Sequence, residues 1–120
     1  MNLVVAARHE SPLMRFVVEG PWDDGDALKL AYFIKAAISR VREERVLLDL
    51  RRVKTRPGSQ GKFLICDRLR RAMYPHVRIG LVTAPELVEP VPPAANDGAD
   101  VAVFSAEHEA LRWLRVPERA

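Results

Sequence analysis

The apolar positions of this chain change rhythm several times, and each change marks an element. Leu3 to Ala7 is an apolar run of strand length, and Leu13 to Glu19 is rich in β-favouring residues. The polar stretch from Arg8 to Pro12 separates them, so the two runs read as a hairpin closed by Gly20-Pro21. From Ala27 to about Arg42 the spacing becomes helical: Ala27, Leu30, Ala31, Ile34, Ala37, Ile38 and Val41 share one face, with Lys29, Lys35, Ser39, Arg40 and Arg42 opposite. Asp23, Asp24 and Asp26 precede that helix, where carboxylates suit free backbone N–H groups and the positive helix end. Leu28, Tyr32 and Phe33 widen its apolar arc. Val46 to Leu50 lacks clean alternation and reads as a strand buried on both faces.

A basic loop, Arg51 to Gly58, follows that strand, and Ser59 is placed to cap a second helix whose inward face is Phe63, Cys66, Leu69 and Met73. Tyr74-Pro75 ends it. Val77 to Val82 is the next buried strand, and Val101 to Phe104 the last. Ser105 then caps a final helix carrying Ala106, Ala110, Leu111, Trp113 and Leu114. Between the last two strands, residues 83–99 hold Pro85, Pro90, Pro92 and Pro93, then Asn96-Asp97-Gly98, which permits no more than one turn at Glu86–Glu89. Long loops of this kind serve as lids or binding segments. The order β-β-α-β-α-β-loop-β-α predicts an α/β domain: a mostly parallel five-stranded sheet with an antiparallel edge strand and helices packed against it. We expect one domain over residues 1–116 and a frayed tail over 117–120.

With 120 residues, 48% of them apolar, the chain can build a core without a disulfide or a metal. Its single cysteine, Cys66, cannot form an internal disulfide and suits a reducing compartment. The N-terminus shows no secretory pattern, and no apolar run approaches the roughly 18 residues of a membrane helix. A cytoplasmic location is the expectation. The formal charge is only +3, but its distribution is uneven. Residues 45–78 carry ten Lys or Arg against Asp49 and Asp67, whereas residues 79–120 carry three Arg and seven acids. The positive charge therefore gathers on one strand–loop–helix stretch.

That stretch holds the candidate chemistry. Arg56, Gly58, Ser59, Gly61 and Lys62 form a possible anion or partner site, with a glycine-permitted backbone approach beside two cations. The Walker spacing is absent. The basic set, which also includes Arg51, Arg52, Lys54, Arg68, Arg70 and Arg71, lacks the motifs that accompany specific nucleic-acid binding, so a solvated basic face or a face for an acidic protein partner is favoured. His9, His76 and His108 are scattered without metal spacing, and no cofactor motif is present. Cys66 reads as a structural thiol, and Asp49 as a carboxylate that caps loop backbone. Trp22 reads as a staple for the first helix and Trp113 as packing for the last. No catalytic triad or nucleophile elbow is visible, so the reading is not an enzyme.

The run Leu48-Asp49-Leu50-Arg51-Arg52-Val53 and the ending Phe104, Glu109, Ala110, Leu111, Trp113 and Leu114, spaced F-x-x-x-x-E-A-L-x-W-L, resemble the STAS domains, named for sulfate transporters and anti-sigma factor antagonists. The closer likeness is to the stand-alone bacterial SpoIIAA-like branch, and it covers about Leu13 to Leu114. The resemblance implies a regulatory domain that works through a protein partner, with a phosphorylatable serine at the start of the second helix. Here the D-S-S-G segment of those domains falls on Pro57-Gly58-Ser59-Gln60. The acidic position is Pro57, the usual phosphoserine is Gly58, and Ser59 next to it is the candidate switch. Relatives often carry a helix where this chain has its Pro-rich segment. The alternative is a module for an anionic small molecule or lipid, with 83–99 as a lid over an apolar pocket reached past Tyr32 and Phe33. A homodimer joined through the acidic C-terminal third is a further arrangement that the charges allow.

Overall fold

The computed structural model describes residues 2–23, 25–54, 64–91 and 98–115. Along the chain lie β1 (Val4–Glu10), β2 (Leu13–Pro21), α1 (Asp26–Val41), β3 (Arg45–Lys54), α2 (Cys66–Ala72), β4 (Arg78–Val82), a 3-10 turn (Pro85–Leu87), β5 (Asp100–Phe104) and α3 (Glu107–Trp113). The strands form one sheet in sequence order, β1-β2-β3-β4-β5. β1 runs antiparallel to β2, and all later pairs are parallel. This is the mostly parallel five-stranded α/β sheet with an antiparallel edge strand that the element order predicts.

The alternation of side chains assigns the two faces. Met14, Phe16 and Val18 of β2, Val46, Leu48 and Leu50 of β3, and Ile79 and Leu81 of β4 join Leu30, Ile34 and Ile38 of α1 and Cys66 and Leu69 of α2 in the main core. The opposite face carries a smaller cluster, in which Leu13, Leu47 and Val82 meet Ala110 and Leu114 of α3. β3 is thus covered on both sides, as its unbroken apolar run requires. Gly80 lets α3 come close. A Cβ built there would lie 3.3 Å from the Ala110 Cβ and 3.5 Å from the Leu114 Cδ1.

Several boundaries differ from the sequence expectation. β1 continues through Arg8, His9 and Glu10, and the reversal is confined to Ser11 and Pro12, whose peptide is cis. β3 runs on to Lys54, so Arg51 to Lys54 is strand rather than loop. The described α2 begins at Cys66; Leu64 and Ile65 precede it outside the helix, and a start at Ser59 is not what it shows. Ala106, not Ser105, occupies the N-cap of α3, and no side chain caps it. Trp22 is buried in the main core, which also holds Ala27, Leu30 and Ala31 of the first helix, and ahead of that helix the Asp26 Oδ2 accepts the Asp23 N–H at 2.9 Å. Trp113 packs α3 on the sheet as expected, with its ring 5.6 Å from that of Phe104 and the Arg78 guanidinium 4.1 Å above it. The tail 117–120 lies outside the described residues. Among the described residues no helix is long and apolar enough to cross a membrane.

Gly80→Leu should push α3 off the sheet. The expected loss is about 1–3 kcal/mol by overpacking, read as a lower urea midpoint with an unchanged slope.

Candidate functional site

The four parallel strands end together at Pro21, Lys54, Val82 and Phe104, which places the loops after them on one edge of the sheet. In open α/β sheets that edge is where ligands and partners are met. The last turns of β3 shape it. The pairing of β2 with β3 passes from Val17 opposite Asp49 to Glu19 opposite Arg52, so β3 carries one extra residue. Such a bulge leaves a backbone group off the ladder and re-aims side chains. Asp49 repairs the first effect. Its Oδ1 accepts the Arg51 backbone N–H at 3.0 Å and the Arg51 Nε at 3.0 Å, and its Oδ2 accepts the Arg51 Nη2 at 2.8 Å. Burial opposes the charged form of Asp49. The side-chain and backbone hydrogen bonds from Arg51 and the charges of Arg51 and Arg52 outweigh it, and the carboxyl titrates below its ordinary value.

The bulge also sets Leu50 and Val53, three residues apart, both into the main core. Arg52 and Lys54 consequently turn to the open face. The Arg52 side chain is 70% exposed and lies 3.7 Å from Glu19, a pair that solvent leaves weak. Val4, Pro21, Arg52 and Lys54 border a depression of about 500 Å³ at this corner. On the same face of the sheet, Arg15 Nε donates to both Glu10 carboxylate oxygens at 3.0 Å, and its Nη1 donates to Glu107 at the start of α3. That network ties α3 to β1 and β2.

The beginning of α2 is closed by a residue that the sequence does not advertise. Glu89 Oε1 accepts the Ile65 N–H at 3.0 Å and also the Cys66 N–H. A carboxylate therefore already sits where the helix presents its free donors. Burial, together with the hydrogen bond and charge of Glu89, pushes the Cys66 thiol far above its ordinary range, which fits a structural cysteine. Val88, one residue earlier, is buried in the main core, and the Ala99 N–H donates to the Arg70 carbonyl at 2.9 Å. The described ends of the Pro-rich segment are thus fastened to α2. Tyr32 and Phe33 are exposed on α1, and neither borders the depression at the Arg52 corner or one at the opposite edge described below.

Arg56, Gly58, Ser59, Gly61 and Lys62 lie outside the described residues. Of the wider basic set, Arg51, Arg52 and Lys54 lie on β3, and Arg68, Arg70 and Arg71 on α2, where Arg71 pairs with Asp67 at 3.1 Å. His9 approaches Glu43 at 3.1 Å, His76 approaches Glu44 at 3.9 Å, and His108 is exposed. Among the described residues no three His, Cys, Asp or Glu side chains gather as a metal would require. The exposed placing of Arg52 and Lys54 had one signal in the sequence, the three-residue spacing of Leu50 and Val53. Glu89 had none, because its partners are backbone amides far along the chain.

No family model matches the chain, and no curated protein matches it either. Solved structures share its fold. An anti-sigma factor antagonist from Mycobacterium paratuberculosis superposes with a TM-score of 0.63 at 14% identity, over 94% of each chain. An uncharacterised protein with a SpoIIAA-like fold from Shewanella loihica gives a TM-score of 0.50 at 14% identity, again over 94% of each chain. The chain therefore has the STAS-like, SpoIIAA-like fold.

Asp49→Asn should cost about 1–3 kcal/mol at neutral pH, the range for weakening hydrogen bonds to a charged acceptor. Because the folded carboxyl titrates below the unfolded one, its contribution is complete above the ordinary carboxylate range of about 4. It fades as pH falls through the depressed folded value, so the stability curves of wild type and Asp49→Asn should converge in acid. Curves that stay parallel down to acid would refute the assignment. Glu89→Ala should leave the Ile65 and Cys66 amides without their acceptor. The expected readout is faster reaction of Cys66 with a thiol reagent under native conditions, with Glu89→Gln intermediate.

Proposed function

We propose that this chain is a non-catalytic regulatory domain that binds an acidic protein partner through the carboxyl edge of its sheet, at the end of β3 and the segment leading to α2. The observation that carries the reading is the bulge at Leu50-Arg51, which turns Arg52 and Lys54 outward beside an open depression. The likeness in fold to an anti-sigma factor antagonist supports a regulatory role of this kind. Rim cations of this sort steer association and select against basic partners more than they add affinity.

Ser59 is the proposed switch, within a site that includes Arg56, Gly58, Gly61 and Lys62. Phosphate on it would add nearly two negative charges among Arg56 and Lys62 and reshape the contact surface. The reading places the domain in a bacterial cytoplasm, where its partner would be met.

The test is affinity capture from a lysate of the source organism with four baits: wild type, Arg52→Glu/Lys54→Glu, Ser59→Glu and Ser59→Ala. A partner retained by wild type and Ser59→Ala but lost with the charge-altered baits is the expected result, followed by calorimetry with that purified partner. A partner that binds all four equally would remove the carboxyl edge from the interface. Thermal melts of each bait check that the fold is kept.

A further inference from the structure

A second depression, of about 340 Å³, lies at the opposite edge of the sheet, where the parallel strands begin. Its floor is apolar, from Ile38 near the end of α1 and Val77 ahead of β4, both buried. One wall is aromatic. Tyr74 and His76 stack with ring centroids 5.7 Å apart and planes 5° from parallel, and the Lys35 ammonium lies 5.2 Å from the Tyr74 ring centre. The rim carries charges of both signs, from Arg42, Glu43 and Glu44.

These charges are not equally engaged. Glu43 is held by His9 at 3.1 Å and its side chain is only 15% exposed. The Glu44 side chain is 66% exposed, and among the described residues its ion-pair partner is His76, at 3.9 Å. Arg42 is exposed and makes no ion pair among the described residues. It also sits at a backbone position that suits glycine, the left-handed residue that ends α1, with φ 57° and ψ 39°. Arg115 adopts the same φ region after α3, so the backbone alone marks no site. What is particular to Arg42 is that its guanidinium, without an ion pair among the described residues, borders a depression with an apolar floor whose rim also holds the loosely held Glu44 carboxylate.

We infer that this depression binds a small zwitterion with an apolar side chain, the chemistry of a free α-amino acid. Arg42 takes the carboxylate, for which a guanidinium offers two parallel donors. Glu44 takes the ammonium, and Ile38 and Val77 receive the apolar side chain beside the Tyr74–His76 stack. A simple anion would meet the Glu44 carboxylate at the rim, and a simple cation would meet the Arg42 guanidinium. Only a ligand bearing both charges satisfies the rim. The site is independent of the partner surface, which lies at the other edge of the sheet.

The experiment is titration of the folded chain with L-leucine, L-methionine and L-phenylalanine at up to about 10 mM, a range suited to ligands of few heavy atoms. It is followed by calorimetry and by the ring proton signals of Tyr74 and His76. Isovalerate and isoamylamine, which each carry one of the two charges, serve as controls. At least one amino acid should bind and shift both rings, and neither control should. Arg42→Gly should weaken binding by about tenfold to a hundredfold, the loss of a charged hydrogen-bond pair. Its melting temperature should be no lower than that of wild type, because glycine relieves the left-handed backbone. Glu44→Gln should weaken binding without moving the melting temperature. The inference fails if no amino acid perturbs the rings, if a single-charge control binds as well, or if Arg42→Gly binds like wild type.

Discussion

Burial of β3 on both faces is the constraint from which the rest of the arrangement follows. A strand whose Val46, Leu48 and Leu50 enter one core and whose Leu47 enters another must lie inside a sheet with helices above and below. Parallel neighbours on each side satisfy its ladder, and α1 and α2 cover one face while α3 returns to the other. The strand then has to leave this closed environment. It does so through a bulge, and the one carboxylate on its buried stretch stands at that exit. Asp49 is tolerated there because Arg51 supplies three hydrogen bonds to it, two from its side chain and one from its backbone.

A similar economy of charge operates at α2. A short helix has little dipole to offer a ligand, and Glu89 already meets its first free amides. The Pro-rich segment therefore serves in part as structure: Val88 fills the core and Glu89 closes the helix. Pro90 suits this position, since a residue already held by its neighbour loses nothing when it cannot donate a backbone hydrogen bond. A lid would need to part from α2 and give up both the buried valine and the carboxylate–amide contacts. That favours the reading in which the edge of β3, and not the segment over α2, is the surface offered to a partner.

The mostly parallel sheet, the order of elements along the chain and the apolar face of the first helix were legible in the sequence, because period and breakers encode them locally. Ala27 through Val41 keep one helical stripe, and Pro12, Gly20-Pro21 and Tyr74-Pro75 mark three of the ends. Where the reading stopped short, a non-local partner decided the outcome. Arg51 to Lys54 looked like loop because the basic run hides the return of Val53 to the core, and only pairing with Glu19, Gly20 and Pro21 of β2 keeps those residues extended. The start of α2 looked like Ser59 because capping is read from the nearest hydroxyl, whereas the acceptor at the described start comes from Glu89. Trp22 reads as a staple for the first helix, and what the sequence does not show is that its backbone is also tied to β3, with the Trp22 N–H held by the Lys54 carbonyl at 2.9 Å.

The two edges of the sheet differ in a way that bears on how such a small domain can hold more than one role. At the carboxyl edge the cations Arg52 and Lys54 are exposed to water, and a contact there would be sensitive to salt. At the amino edge the floor is buried and the aromatic wall is stacked, so a contact there is set by shape and by paired charge. β3 connects the two edges as a single strand fixed on both faces, with Arg45 at one end and Lys54 at the other. Close packing around it leaves little room for gradual deformation. Influence between the edges would therefore require a discrete change in β3, and the bulge at Leu50-Arg51 is the place where its pairing already departs from the regular ladder.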